Sequence, residues 1–393
     1  MVCLAIGITP SQSARNTLAA GVAESYNTAQ FLGHLPAQRG ARGPVRTGPG
    51  TLLAVDETSM ISAPDLADLI SQAQACDGKV IIAGDTGQLQ AIQNGGGMSL
   101  LTDVLGYARL AEPVRFRAAW EQAASLRLRD GDPAVPGEYD QHGRIHGGDP
   151  EQMLDAAAAA YVANTLDGKD TLLMAADHAL RRELSRRIRD DLIHLGLVDA
   201  GPTVTIADGA KASIGDLIVC TRNDHTIEAG EPGRTLANGD LLRIEAITAD
   251  GLIVRRALDA DPRTGLRRWT DRHFLYGDYN DCELGYAVTD HAAQSRTVHT
   301  GLAVITGTED RQHAYVALTR GTDTNMAYVF TLSPKRADPA PVPRPAPRSI
   351  APPGNVQLPL SERRMSRISP ASLATATFTD GTMLVASGAL GSS

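Results

Sequence analysis

The run Thr51-Leu-Leu-Ala-Val55 ends abruptly in two carboxylates, Asp56 and Glu57. A short continuous apolar run of this kind reads as a parallel-sheet strand covered on both faces. The carboxyl end of such a strand is where open α/β sheets bind their ligands. In an α/β nucleotide hydrolase an aspartate at this place holds magnesium, usually through water, and the adjacent glutamate orients and deprotonates the attacking water. Adjacent acids are also common on protein surfaces, and it is the preceding strand that separates the two readings. The loop that normally cradles phosphates, Gly-x-x-x-x-Gly-Lys-Ser/Thr, is not found. Lys79 follows Gly78 and Lys169 follows Gly168, but Val80 and Asp170 stand where the magnesium-binding hydroxyl should be.

The pattern around the acid pair fixes the fold class. Val2–Ile8, Ser11–Gly21, Thr51–Val55, Ala63–Ala75 and Val80–Ala83 alternate strand-like and amphipathic stretches, the rhythm of an α/β chain with a parallel sheet. Arg39–Gly50, rich in glycine, proline and arginine, reads as a surface loop between two such units. From Trp120 the pattern turns helical. In Asp177–Leu195, Leu180, Leu184, Ile188 and Leu192 recur every four residues, with Arg181, Arg182, Arg186, Arg187 and Arg189 on the remaining face. Those arginines suit nucleic acid, but a solvated face paired with Glu183 and Asp190 is the favoured reading. Between Gly215 and Leu284 short strands separated by Asn-Gly and Asp-Gly turns predict an antiparallel insert. Gly301–Ile305 and Met326–Phe330 then restore buried parallel strands. The proline-rich stretch from Ser333 onward lacks strong periodicity and reads as disordered.

Bulk composition narrows the function classes. A chain of 393 residues predicts roughly two to three domains. The formal charge of −8 argues against coating duplex DNA by bulk positive charge. With 4% aromatic residues, a long base-stacking platform is not expected either. A motor gripping a few nucleotides in a local groove is compatible with both numbers. The sequence holds neither a membrane-length apolar run nor a basic, cleavable start, so the cytoplasm is the expected location. Cys3, Cys76, Cys220 and Cys282 form no Cys-x-x-Cys pair, which favours buried thiols over a metal site or disulfide framework.

A second strand, Val80–Ala83, runs into Gly84-Asp-Thr-Gly-Gln-Leu89, a polar loop at the same sheet edge that is also ordinary turn chemistry. Together with Val55-Asp-Glu-Thr-Ser-Met60, Tyr286-Ala-Val-Thr-Asp-His-Ala-Ala-Gln294 and Tyr315-Val-Ala-Leu-Thr-Arg320, it resembles motifs II, III, V and VI of superfamily 1 DNA helicases of the RecD-like branch. Glu112-Pro-Val-Arg-Phe-Arg117, followed by Trp120 and Glu121, is similar to the helicase part of MobF-class conjugative relaxases. The resemblance covers roughly residues 1–332 and implies an ATP-dependent 5′-to-3′ helicase working on single-stranded DNA with Mg2+ and ATP.

Carried over by position, the resemblance makes Asp56 the magnesium ligand and Glu57 the base. Gln88 couples phosphate to the DNA groove, and Arg115 and Arg320 reach the γ-phosphate. Asp85 and Gln294 join Asp56 on the nucleotide side. Thr289 and His291 face DNA, as do Thr9 and Ser11 in a strand-to-helix turn similar to motif Ia, although Ser11 serves equally as a helix cap and His291 as a core histidine. The expected architecture is two RecA-like parallel-sheet domains: 1–111, an incomplete first domain; 112–214 with 285–332, the second; 215–284, a small β-barrel insert; and 333–393, a disordered tail.

Two departures set further expectations. Gln294 is followed by Ser295, where the family usually has glycine, and serine tolerates positive φ poorly. The chain also starts at motif Ia, so the strand bearing the phosphate loop is expected to be missing, leaving Val80–Ala83 as an exposed apolar edge. ATP binding and hydrolysis are then expected to be weak. The rival readings are a non-hydrolysing single-strand-binding remnant and a split motor whose phosphate loop comes from an upstream polypeptide. His142, His146 and His178 lack the spacing of a metal triad, so relaxase nicking is not expected.

Overall fold

The apolar runs flanking the acid pair lie side by side in one parallel sheet. The computed structural model describes residues 4–18, 21–22, 24–33, 47–110, 115–231, 234–277, 279–331 and 383–387. In chain order, the first lobe comprises β1 (Ala5–Thr9), α1 (Gln12–Leu18), β2 (Glu24–Asn27), α2 (Thr28–Phe31), β3 (Leu52–Val55), α3 (Ala63–Ala75), β4 (Lys79–Gly84), α4 (Gly97–Leu105) and β5 (Ala108–Arg109). Ile6, Ile8, Leu53, Val55, Ile82 and the α3 residues Leu66 and Leu69 form its core. The α3 boundary predicted from sequence holds, because Ser62 accepts a hydrogen bond from Asp65 N at the helix start. Gly7 is needed for close packing, since a Cβ there would sit 2.6 Å from Leu18.

The second lobe opens with α5 (Ala119–Asp130), α6 (Val135–Gln141), β6 (Ile145–Gly148), α7 (Pro150–Leu166), β7 (Thr171–Ala175) and α8 (His178–His194). Asp149 and Asp177 cap α7 and α8 through their carboxylates. After the insert come β18 (Ala287–Thr289), α9 (Asp290–Ala293), β19 (Val298–Ile305), α10 (Arg311–Ala317) and β20 (Gly321–Phe330). The sheet order is β18-β7-β19-β20-β6, with all pairings parallel. Central β19 is buried along nearly its whole length, as a strand covered on both faces is, His299 and Thr300 included.

The insert comprises β8 (Val204–Thr205), β9 (Lys211–Ala212), β10 (Leu217–Cys220), β11 (Asp224–Glu228), β12 (Thr235–Leu236), β13 (Leu241–Ile247), β14 (Gly251–Leu258), β15 (Arg268–Trp269), β16 (His273–Tyr276) and β17 (Cys282–Leu284). Its main antiparallel sheet runs β15-β14-β13-β10-β17, with β16 also on β14. The small β8–β9 hairpin begins upstream of residue 215, and Ile206 and Ala212 share one core with Leu184, Ile188 and Leu302 of the second lobe. Cys220 and Cys282, distant in sequence, are directly opposed across β10 and β17 and remain buried free thiols.

The exposed edge expected at Val80–Ala83 does not exist. The first sheet runs β2-β1-β3-β4-β21-β5, where β21 is Met383–Ser387. That strand pairs in parallel with the whole of Val80–Gly84, so a piece of the stretch expected to be disordered covers β4. The rest of 333–393 lies outside the described residues, as does most of the Arg39–Gly50 loop.

Leu53 is fully buried at the centre of the first core. Leu53→Ala is expected to cost about 2–5 kcal/mol, read as a lower urea midpoint. A loss below about 0.5 kcal/mol would contradict this packing.

Candidate functional site

Register along the first sheet brings the acids to one edge. Val55 pairs with Ile82, so β3 delivers Asp56 and Glu57 beside the Gly84-Asp85 loop that leaves β4. Glu57 adopts φ 51 and Ser295 φ 64, a left-handed conformation that costs non-glycine residues energy and clusters at functional sites. Ser295 therefore occupies the backbone conformation for which glycine is suited, and from beside Glu57 it pulls that carboxyl downward. Asp56 Oδ1 accepts from Glu57 N at 2.9 Å.

Opposite this edge, the second lobe presents two arginines. Arg320 leaves α10, donating from Nε to Val316 O at 3.1 Å and from Nη2 to Thr319 Oγ1 at 2.9 Å. Arg115 donates to Thr319 O at 2.6 Å. Asn325 holds the backbone behind Arg320: its Oδ1 accepts from Gly321 N at 2.6 Å, and its amide donates to Gly321 O and to buried Glu121. Sequence reading gave Glu121 and Asn325 no role.

The electrostatics follow from burial and convergence. Burial raises the Asp56 and Glu57 carboxyls; Asp56 raises Glu57 further, whereas Arg320, Ser295 and Arg115 pull it back. Arg320 falls to about 9, through burial and then the neighbouring Arg115 charge, and stays protonated at neutral pH. Two buried guanidiniums that repel each other around one carboxylate make a place suited to an oxyanion. Four buried polar atoms from the converging segments, Ser59 Oγ, Gln88 Oε1, Arg115 Nε and Gln294 Oε1, have no hydrogen-bond partner. Such orphans call for a ligand or water. On these observations the residues fit the terminal phosphate of a nucleotide with its magnesium.

The two lobes are also joined through Asp85. Its Oδ1 accepts from Arg129 Nε of α5 at 2.6 Å and from Gly87 N at 2.9 Å. Its Oδ2 accepts from Tyr315 of α10 at 3.1 Å. This carboxylate, assigned from sequence to the nucleotide side, is instead engaged by the second lobe. Gln312 and Gln294 add side-chain bonds to Thr86 O and Leu89 O.

The residues assigned to DNA fall unevenly. Thr9 is fully buried and its hydroxyl donates to Ser11 O at 2.9 Å, which removes it from any strand surface. Ser11 is exposed and caps α1 through Ala14 N at 3.1 Å. Thr289 is half-buried at the start of α9. His291 lies against His313, ring centroids 5.9 Å apart. The α8 arginines are largely spoken for. Arg186 and Arg187 pair with Glu183, Asp190, Glu151 and Asp155; Arg181 meets Glu283 and Arg189 meets Asp216. This is the solvated-face reading, extended into the insert. His142 stacks on Trp120 and His146 on Tyr328. Among the described residues no group of three or more His, Cys, Asp and Glu is placed to hold a metal, and no helix is long and apolar enough to cross a membrane.

Residues 4–150 match a family model described as an AAA domain. The chain is 29% identical over 291 residues to the conjugal transfer protein TraA of Rhizobium radiobacter, an alignment taking in 72% of this chain and 25% of that protein. It is 29% identical over 279 residues to the probable conjugal transfer protein TraA of Sinorhizobium fredii, covering 69% and 24%. The chain thus spans about a quarter of the length of these relatives. Its fold is similar to Pif1 helicase from Bacteroides in complex with ADP-AlF3 and ssDNA, with TM-score 0.52 and 14% identity over 84% of this chain and 83% of that one. Bacteroides Pif1 bound to ssDNA gives TM-score 0.50 at 13% identity, with the same coverage.

One group beside the cleft titrates in an accessible range. Asp290, buried and facing Glu309, Asp310, His291 and His313, has its carboxyl raised to about 7, burial being the largest cause. A raised carboxyl stabilises the fold fully below its unfolded value near 3.8, and this contribution is lost as pH rises through about 7. Urea unfolding between pH 4 and 8 is expected to show that decline in the parent chain and a shallower one in Asp290→Asn. Identical slopes would contradict the burial of this group.

Proposed function

We propose that this chain is a TraA-related superfamily 1 helicase, the motor region of a DNA-transfer protein that moves 5′ to 3′ along single-stranded DNA by hydrolysing ATP; its motifs, its TraA relatives and its Pif1-like fold support that reading. The observation that carries the proposal is the convergence of Arg115 and Arg320 from one lobe to within electrostatic range of Glu57 from the other, in a buried cleft with orphaned polar atoms. We read residues 1–111 as the first motor domain, 112–214 with 285–332 as the second, and 215–284 as its insert.

The roles follow from chemistry at each position. Asp56 would hold Mg2+, and bound magnesium would neutralise phosphate charge. Glu57, its carboxyl made more basic by burial and by Asp56, is suited to accept a proton from water. Arg115 and Arg320 supply permanent positive charge in a fork that matches phosphate oxygens; in other phosphoryl-transfer systems such arginines contribute about 10³–10⁵ in rate. Gln88 and Gln294 carry unpartnered side-chain oxygens between the lobes, which suits them to accept from a water beside the terminal phosphate. The Asp85 junction ties the motif III loop to α5 and α10, giving cleft closure a route to the strand-binding face. Ser11, Thr289 and His291 are our candidates for that face. Single-stranded DNA as partner is supported by the Bacteroides Pif1 complexes.

No Gly-x-x-x-x-Gly-Lys-Ser/Thr loop occurs in this sequence, and we propose that hydrolysis by the chain alone is weak. A second reading, a single-strand-binding module that does not hydrolyse ATP, draws on the same observation. Anisotropy with a labelled oligothymidylate is expected to show binding by the chain. Its ATP turnover is expected to be slow and not stimulated by the strand; stimulated turnover lost in Glu57→Gln would contradict that weakness. In a longer protein containing this chain and a phosphate loop, Glu57→Gln is expected to lower kcat by at least about 10² while leaving DNA binding intact. No effect there would overturn the motor reading in favour of the binding module.

A further inference from the structure

The position between β4 and β5 is where the first sheet draws on chain far removed in sequence. β21 pairs on one side with Val80–Gly84 in five register pairs, and on the other with Ala108 and Arg109. Without it β4 keeps β3 but loses its neighbour on the other side, and β5 loses its only pairing among the described residues. Neither side is easily replaced by water, because Val80 and Ile82 are buried and an open apolar strand edge invites foreign pairing.

We propose that the lobe bearing Asp56 and Glu57 is completed in cis by Met383–Ser387, which takes the sheet position next to the Gly84-Asp85 loop. The sequence Met-Leu-Val-Ala-Ser is apolar, short, and free of proline and charge, as a strand with neighbours on both sides requires. The register is continuous: Val55 pairs with Ile82 and Ile82 with Val385. Ser387 stands level with Gly84 and Arg109, so β21 ends at the edge that carries Asp56 and Asp85. A parallel neighbour needs a crossover of a dozen residues or more, and residues 331–382 separate β20 from β21. Being part of the same chain favours this strand over one from another polypeptide, because its pairing is intramolecular.

The consequence for function rests on the cleft being a nucleotide site, but the pairing does not, and the test uses no nucleotide. In the full chain, Ile82→Cys with Val385→Cys is expected to form an intramolecular disulfide under mild oxidation, read in the monomer fraction as a loss of about 2 Da by intact mass relative to the parent chain treated identically, which carries the facing Cys220 and Cys282 as well; neighbouring strand positions fall within disulfide reach. Ile82→Cys with Ser387→Cys, two positions out of register on the same strand, serves as the register control and is expected to show no loss beyond that of the parent chain. A cross-linked dimer would assign the strand to a second copy, and a folded protein with no cross-link would place β21 elsewhere; either overturns the proposal. In a second measurement, Val385→Pro removes a backbone donor in mid-strand. It is expected to lower hydrogen-exchange protection of Val80–Ala83 at least tenfold while Leu172–Met174 in the second lobe keep theirs. Unchanged protection at Val80–Ala83 would overturn it as well.

Discussion

A buried carboxylate shared between two lobes is the constraint on which the site depends. Asp85 is 2% exposed and its charge is compensated by Arg129 and Tyr315, both from the opposite lobe. A carboxylate taken out of water without such partners costs several kcal/mol, so separating the lobes exposes or strands this charge. The contact fixes the angle at which α10 approaches the first sheet. Arg320 follows directly from α10, so the same contact sets where its guanidinium stands relative to Glu57. Asn325 and Glu121 then hold the turn behind Arg320 from the far side.

This arrangement concentrates charge inside a protein whose net charge is −8. Arg115 and Arg320 repel each other, and burial disfavours both charges. Glu57 relieves only part of that, and it too is penalised by burial. Unfavourable terms kept together in one cleft are a signature of a site organised for a ligand rather than for stability. The left-handed backbone at Glu57 and Ser295 belongs to the same description. Ser295 takes on that backbone strain beside Glu57, whose carboxyl it lowers.

Much of this was legible in the sequence. The strand before Asp56, the whole of α3 and the antiparallel insert are dictated by apolar periodicity, caps and Asn-Gly or Asp-Gly turns, all of which are local signals. What the sequence left open is long-range. Nothing local in Met383–Ser387 distinguishes a strand from a tail of small residues; it is a strand because β4 and β5 leave a slot for it. Asp85 looked like a nucleotide ligand because its loop follows a strand, but Arg129 and Tyr315 reach it only after two lobes fold against each other. Thr9 was read as a surface hydroxyl, and the packing of β1 beneath α1 and α2 buried it. The α8 arginines could be assigned either way until Glu151, Asp155, Asp216 and Glu283 were seen to meet them.

The most direct test of the account is a double-mutant cycle across the junction, with Asp85→Asn, Arg129→Gln and the double variant compared by urea unfolding at low salt. Groups in direct contact across the two lobes are expected to show an interaction energy of about 1–3 kcal/mol. Strict additivity, within about 0.5 kcal/mol, would mean that the lobes do not meet at Asp85, and the shared cleft would have no physical basis.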